Sequence, residues 1–221
     1  MAENRIARHP HFDIDTSHGP VRRGGNAPSP VEIGHVHIAL GELRQADGAT
    51  IMFVALDRVS KFAFVAFQDS AGERQGSAFL GSVLKAFPYR VRTVLTDNSI
   101  AFTDRTKVHD ARRHRGQHGF ERLCVDNAIG HRRIRPFHPW TRNEAHQMSR
   151  AIEDATVRLF RYDDLGCLKA HVLAFVAGYN SAKPLKALAW RTPHQAICDA
   201  WAKDPSVFKV DPHGLIAVSG G

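Results

Sequence analysis

Val91-Arg92-Thr93-Val94-Leu95-Thr96-Asp97-Asn98-Ser99-Ile100-Ala101-Phe102-Thr103-Asp104 is the stretch that decides the fold. Val91, Thr93, Val94 and Leu95 make a short apolar, β-branched run, which reads as a buried strand. Asp97 stands where that run ends, followed by turn-forming Asn98 and Ser99. A carboxylate at the end of a central strand reaches the edge of the sheet, where it can meet a metal ion. Enzymes acting on phosphodiesters often hold their cations this way. The pair Asp97-Asn98 also reads as a plain turn after a strand, and the flanking segments decide between the two.

Upstream, Val36, Ile38 and Leu40 alternate with His37, Ala39 and Gly41, which gives a strand from His35. Ala46 to Ala49 makes a turn, and Ile51 to Leu56 is a nearly continuous apolar run, hence a strand covered on both faces. Asp57-Arg58-Val59-Ser60 turns the chain into a third strand, Phe62 to Phe67. Short turns between the three predict an antiparallel meander. A helix follows over about Glu73 to Phe87, with Phe79, Val83 and Ala86 at helical spacing, until Pro88 stops it.

Downstream, residues 103 to 118 are basic and His-rich and read as a loop. Phe120, Leu123, Cys124 and Asn127 mark a short helix, and His131 to Arg135 a weakly alternating fifth strand. A long helix starts near Asn143, with Ala145, Met148, Ile152, Ala155 and Leu159 at a period between three and four. The next helix takes Asp163 as its cap and buries Leu165, Leu168, Val172, Phe175, Val176 and Tyr179. Thr192-Pro193-His194-Gln195 carries a capping-box signature for the last helix, whose Ala196, Ile197, Ala200 and Trp201 face inward. The order is α/β with a mixed sheet.

The chain has 221 residues, 43% of them hydrophobic, enough for one domain with a sizeable core. No apolar run approaches the roughly 20 residues that span a bilayer, and no signal-peptide pattern opens the chain, so the expectation is cytoplasmic with no membrane partner. Cys124, Cys167 and Cys198 are widely spaced and read as reduced thiols. The net charge of +8 favours a polyanionic partner, DNA first. Residues 1–33, punctuated by Pro20, Gly24, Gly25, Pro28 and Pro30 and carrying Arg22 and Arg23, read as a flexible basic arm. The folded domain is expected over 34–205, and residues 206–221 as a loose tail.

Several stretches resemble the integrase catalytic core of bacterial insertion-sequence transposases of the DDE type, within the RNase H-like superfamily. They are Phe53 to Phe62 (Phe-Val-Ala-Leu-Asp-Arg-Val-Ser-Lys-Phe), Arg92 to Asn98, His138-Pro139-Trp140-Thr141, Tyr179-Asn180 and Arg191-Thr192-Pro193. They occur in the family's order, over about residues 34 to 205. The resemblance implies an RNase H-like, mixed five-stranded sheet, three antiparallel strands then two parallel, flanked by helices. It implies DNA integration as the activity and Mg2+ or Mn2+ as cofactor. In that chemistry two cations about 4 Å apart, caged by two Asp and a Glu, activate the attacking oxygen and stabilise the leaving one.

Carried over residue by residue, the pattern is incomplete. The family reads roughly His-Ile-Asp in its opening strand, and this chain has Ala39 after His37-Ile38. The second Asp is present as Asp97. The Glu expected on the long helix is replaced by His146, in Trp140-Thr141-Arg142-Asn143-Glu144-Ala145-His146-Gln147. Ala39 offers no ligand atom, and neutral His146 cannot offset cation charge as Glu would. Glu144 lies about 200° around the helix from His146, Glu153 about 10 Å along it. Glu42 falls on the opposite strand face from Ala39, and Asp57 looks structural. None replaces the lost acids. The helix-turn-helix that usually precedes this core is not in the first 30 or so residues, which predicts a truncated, decayed copy.

Other constellations stand beside these. Arg112, Arg113 and Arg115, with His109, His114 and His118, form a basic loop suited to phosphate, or conceivably zinc. Arg132, Arg133 and Arg135 extend that patch. Trp140 stacks on a base or packs at the helix entrance; Trp190 and Trp201 read as packing residues. His35 and His37 share a strand face and read as a satisfied or exposed pair before they read as a metal pair. Three functions remain open. The first is an integrase-core transposase with impaired catalysis. The second is a non-catalytic remnant that binds DNA, a second copy of itself or an intact related transposase. The third is a His-assisted metal-dependent nuclease using Asp97 and His146.

Overall fold

The computed structural model describes residues 32–46, 48–103, 118–134 and 144–215. Five strands, β1 (His35–Gln45), β2 (Gly48–Asp57), β3 (Ala63–Gln68), β4 (Thr93–Thr96) and β5 (Gly130–Arg133), form one sheet in the order β3-β2-β1-β4-β5. The pairs β1–β2 and β2–β3 are antiparallel, and β1–β4 and β4–β5 are parallel. Helices α1 (Glu73–Ala86), α2 (Gly119–Asp126), α3 (Glu144–Ala155), α4 (Leu165–Ala182) and α5 (Pro193–Lys203) cover both faces. This is the RNase H-like architecture expected of the sequence.

The period-two alternation of the strands splits the core in two. Val36 and Ile38 of β1, with Phe53, Ala55 and Phe64, pack beneath α1 and α2. Phe53, Phe64 and Phe79 stack with centroids 5.1 and 5.9 Å apart, and truncating one such ring to Ala costs roughly 3–5 kcal/mol. On the other face Ala39 and Leu43, with Met52, Val54 and Leu56, meet Ala145, Met148 and Ile152 of α3 and Leu168, Val172 and Val176 of α4. α3 lies close on β1 because Gly41 has no side chain: a Cβ there would stand 2.2 Å from Ser149 Oγ.

Asp57 is a structural residue, as its place in a turn suggests. Its buried carboxylate accepts hydrogen bonds from the backbone N–H groups of Gly34 (2.7 Å), Val59 (2.8 Å) and Ser60 (2.8 Å), and from Ser60 Oγ (3.1 Å). Burial pushes this carboxyl up, against the pull of those four donors. The Tyr179-Asn180 pair has an equally local explanation. Asn180 Nδ2 donates to the Ala63 carbonyl (2.8 Å) and its Oδ1 accepts from Ala63 N–H (2.9 Å), which latches α4 to the first residue of β3. The capping box at α5 is formed as read, with Gln195 N–H donating to Thr192 Oγ1 (3.2 Å) and Thr192 N–H to Gln195 Oε1 (2.9 Å).

Several expectations are corrected. The cap of α4 is Asp164, not Asp163: Asp164 Oδ1 accepts from Cys167 N–H at 2.7 Å. The long helix ends at Ala155, where buried Thr156 turns its hydroxyl back onto the Ile152 carbonyl (2.6 Å), so Leu159 is exposed. β5 runs over Gly130–Arg133 rather than to Arg135, and Ile134 N–H still bonds the Thr96 carbonyl. The tail expected from 206 is packed through Phe208, which sits between Tyr89 and Trp201 with centroids 5.6 and 5.3 Å away; Ile33, assigned to the arm, is buried in the α1-side core. Trp201 packs as expected, but Trp190 does not. It is 68% exposed on a left-handed backbone (φ 64°) that turns its indole away from the core.

Candidate active site

The site lies at the ends of the parallel strands. β4 runs through Thr96 into Asp97, whose Oδ1 accepts from Ser99 N–H at 2.9 Å. The turn is held from below: Phe102 N–H and Thr103 N–H both donate to the Ser99 carbonyl (3.1 Å each), and the Phe102 ring is buried against Phe120, 5.1 Å away. Gly76 of α1 lets this turn approach, since a Cβ there would fall 2.0 Å from the Ala101 carbonyl oxygen. The outcome is an Asp97 side chain 29% exposed, with Oδ2 3.7 Å from His146 Nε2 on α3.

Ala39 belongs to the same place. β1 and β4 pair in parallel with His37 opposite Leu95, a register that, continued one residue past the end of β4, would set Ala39 level with Asp97. Its methyl is wholly buried among residues that include Ala145 and Met148 of α3. The structure therefore brings the Asp97 carboxylate and the His146 imidazole together, and buries the Ala39 methyl under the same helix.

The nearby acids are engaged elsewhere. Glu144 opens α3 and forms a 2.6 Å ion pair with Lys61, both side chains largely buried. Glu153 Oε1 accepts from Ser149 Oγ (3.3 Å), and exposed Glu42 pairs with Arg44 at 2.7 Å. Among the described residues, no three His, Cys, Asp or Glu side chains converge as a metal site. A pair of hard divalent cations needs several anionic oxygens; Asp97 supplies one carboxylate here, and His146 only nitrogen. The donor set among the described residues does not fit such a pair.

His37 is not half of a metal pair. Its Nδ1 accepts the Glu144 N–H (3.2 Å) and so stands at the first turn of α3, while His35 Nδ1 bonds the Glu32 carbonyl (2.8 Å). Burial above all, then the charges of Arg58 and Lys61 and the neighbouring His35, lowers the His37 pKa to about 4. Tyr179 adds a buried hydroxyl with no hydrogen-bond partner among the described residues; burial and then the Glu144 charge push its pKa up.

Of the basic patch, Arg132 and Arg133 are exposed on β5, and Arg133 Nη1 donates to Thr103 Oγ1 (3.0 Å), tying β5 to the turn after Asp97. Arg112, Arg113, Arg115, Arg135, His109, His114 and Trp140 lie outside the described residues. His118 is a helix cap, accepting from Phe120 N–H (3.3 Å) while Nε2 meets the Ile100 carbonyl (3.1 Å). What sequence reasoning missed is a set of buried partners: Lys61 for Glu144, and His131 with Glu121 for Thr96. No spacing marks them, because each pair is joined only by the fold.

No family model matches the sequence, and no curated protein matches it. In three dimensions it is similar to the catalytic core domain of BIV integrase (TM-score 0.56, 15% identity, 78% of this chain and 99% of that one). It is also similar to the HTLV-2 integrase catalytic core domain, solved in complex with magnesium in a trimeric form (TM-score 0.55, 14% identity, 76% and 97%). A third match is a chain of the simian T-cell lymphotropic virus intasome in complex with PP2A regulatory subunit B56 gamma (TM-score 0.60, 15% identity). The alignment takes in 85% of this chain and 60% of that longer one. At these identities the likeness establishes the integrase-core fold.

Proposed function

We propose that the chain is an integrase-core protein of the insertion-sequence transposase type that binds DNA but has lost most or all of its strand-transfer chemistry. The observation that carries this reading is the 3.7 Å approach of Asp97 to His146. Asp97 is the retained acid, and Ala39 and His146 hold the places of the lost ones. Two-metal catalysis with Mg2+ or Mn2+ fails for want of negative charge, since one carboxylate cannot offset two dications. DNA is held by Arg132 and Arg133, with Arg112, Arg113, Arg115, Arg135 and Trp140 from the adjoining segments, and by the basic arm. The core unit runs from Ile33 to about Pro212, wider than 34–205. A second copy, or an intact transposase of the same type, is the protein partner.

The test is DNA binding followed over a range of salt, beside nicking and strand-transfer assays in Mg2+ and in Mn2+. Salt-sensitive binding without cleavage supports the reading. Strand transfer in Mg2+ that disappears in Asp97→Ala overturns it. The same 3.7 Å contact favours one second reading, a nuclease in which Asp97 and His146 share a single softer cation such as Mn2+ or Zn2+. That reading requires nicking that is lost in both Asp97→Ala and His146→Ala.

A further inference from the structure

Behind Asp97 runs a chain of hydrogen bonds that the candidate chemistry does not use. Thr96 is wholly buried, and its Oγ1 lies 3.0 Å from the Asp97 carbonyl oxygen and 2.8 Å from His131 Nε2. His131, with a side chain only 3% exposed, places Nδ1 2.6 Å from Glu121 Oε2. Three elements thus meet at one imidazole: β4 through Thr96, β5 through His131 and α2 through Glu121.

Proton accounting limits how this chain can be satisfied. Thr96 has one hydroxyl proton. If it goes to the Asp97 carbonyl, His131 Nε2 must donate to Thr96 Oγ1. The short contact between Nδ1 and Glu121 also needs a proton between them. All three contacts are therefore made at once only when the Glu121–His131 pair holds one proton more than a carboxylate facing a neutral ring, as in an imidazolium against the Glu121 carboxylate. A neutral ring that keeps Nδ1–H for Glu121 leaves Nε2 bare. Nε2 then takes the Thr96 proton, and the Asp97 carbonyl loses its donor.

We propose that Glu121, His131 and Thr96 are positioning residues that form a proton-operated strut for the candidate site. With the extra proton held by the Glu121–His131 pair, the Thr96 hydroxyl is turned onto the Asp97 carbonyl and fixes the strand end that presents the Asp97 carboxylate. When that proton leaves to solvent past Glu121, the half-open end of the chain, the hydroxyl turns away. Among the described residues, the groups facing His131 are few. β4 presents uncharged Thr96, and α2 presents Glu121 and the Phe120 ring, 5.1 Å away. The next turn of α2 carries Cys124, whose thiol is pushed up to about 12 by burial and then by the Glu121 charge. On β5 itself Arg132 and Arg133 are exposed, and Arg133 is bonded to Thr103. The consequence for chemistry rests on the reading of Asp97 as the site acid, but the coupling along the strut does not.

The experiment is NMR of the full chain, labelled with 15N and 13C, over a pH titration without DNA or metal. The His131 ring nitrogens should pass from the doubly protonated form to the Nδ1–H form. The Asp97 carbonyl 13C shift should move with the same midpoint. Thr96→Ser should keep the two midpoints together. Thr96→Val should leave His131 titrating while the Asp97 carbonyl no longer follows. If Thr96→Val does not fold, Glu121→Gln carries the test: the His131 midpoint falls and the Asp97 carbonyl midpoint falls with it. A ring fixed in one form wherever the chain is folded, or an Asp97 carbonyl indifferent to His131, overturns the proposal. Failure of the DNA and cleavage assays would remove the functional reading and leave this coupling standing.

Discussion

Lys61 Nζ and Glu144 Oε2 meet at 2.6 Å, and the contact ties the turn between β2 and β3 to the first turn of the helix that carries His146. Lys61 holds this position on a left-handed backbone (φ 59°), with its side chain only 7% exposed. Removing one partner of such a pair strands the other charge in a dry place. Lys61→Met should therefore cost about 3 kcal/mol in urea unfolding, whereas Lys61→Met with Glu144→Met should come within about 1 kcal/mol of wild type. A single variant as stable as wild type would show that the pair is solvated.

His37 gives the fold an acid-sensitive point. Its folded pKa of about 4 lies below the ordinary 6.5, so between these values the unfolded chain binds the proton more readily. The stability that neutral His37 supports is thus full above pH 6.5, declines as pH falls, and is gone below about 4. The slope from this one group reaches at most about 1.4 kcal/mol per pH unit. His37→Asn, whose side-chain oxygen can accept the Glu144 N–H, should flatten the unfolding free energy across that window. A profile unchanged by the substitution would rule His37 out as the source.

Asn180 should be more sensitive to its amide nitrogen than to its size. Asn180→Asp puts a second acceptor against the Ala63 carbonyl, which Nδ2 now satisfies at 2.8 Å. The loss should exceed roughly 2 kcal/mol, the scale of an unsatisfied buried group plus carboxylate burial. Chemical denaturation should find it larger than for Asn180→Ala.

Adding acids at the candidate site should create metal binding. Ala39→Asp with His146→Glu places two further carboxylates beside Asp97, and in EDTA their repulsion and the burial at position 39 should lower the melting temperature. Mg2+ or Mn2+ should then raise it again, by an amount that grows with metal concentration. The same cations should leave wild type and the Asp97→Asn triple variant unmoved. No metal response in the double variant would mean that positions 39 and 146 do not face a common site with Asp97.

DNA affinity should fall uniformly across sequences in Arg132→Ala and Arg133→Ala, with the salt dependence reduced by about one in each. Arg133→Ala should also loosen the turn after Asp97, because it removes the bond to Thr103. Amide hydrogen exchange at residues 99–103 would report it. An unchanged salt slope in both variants would move the DNA surface to another face.

The fold was legible in the sequence because its signals are local. Alternation in Val36 to Gly41, the continuous apolar run of β2, the Thr192 capping box and Pro88 after α1 each act within a few residues. They set element type before any long-range contact forms. Misjudged ends were those that a tertiary contact decides: the Thr156 back-bond that closes α3, and the Tyr89 and Trp201 rings that hold Phe208.

Asp97 and His146 could be singled out from the chain alone, but only folding brings them within 3.7 Å of each other. The parallel register of β1 and β4 and the close approach of α3 at Gly41 bring together residues far apart in sequence. The same is true of Lys61 with Glu144 and of Glu121 with His131 and Thr96, which no motif announced. Sequence by itself determined the order and kind of the elements and which side chains carry carboxylates, since the identity of a side chain needs no partner. Which buried charge met which, and which proton each hydroxyl could offer, were decided by tertiary structure alone, because hydrogen bonds and ion pairs act over a few ångströms of space.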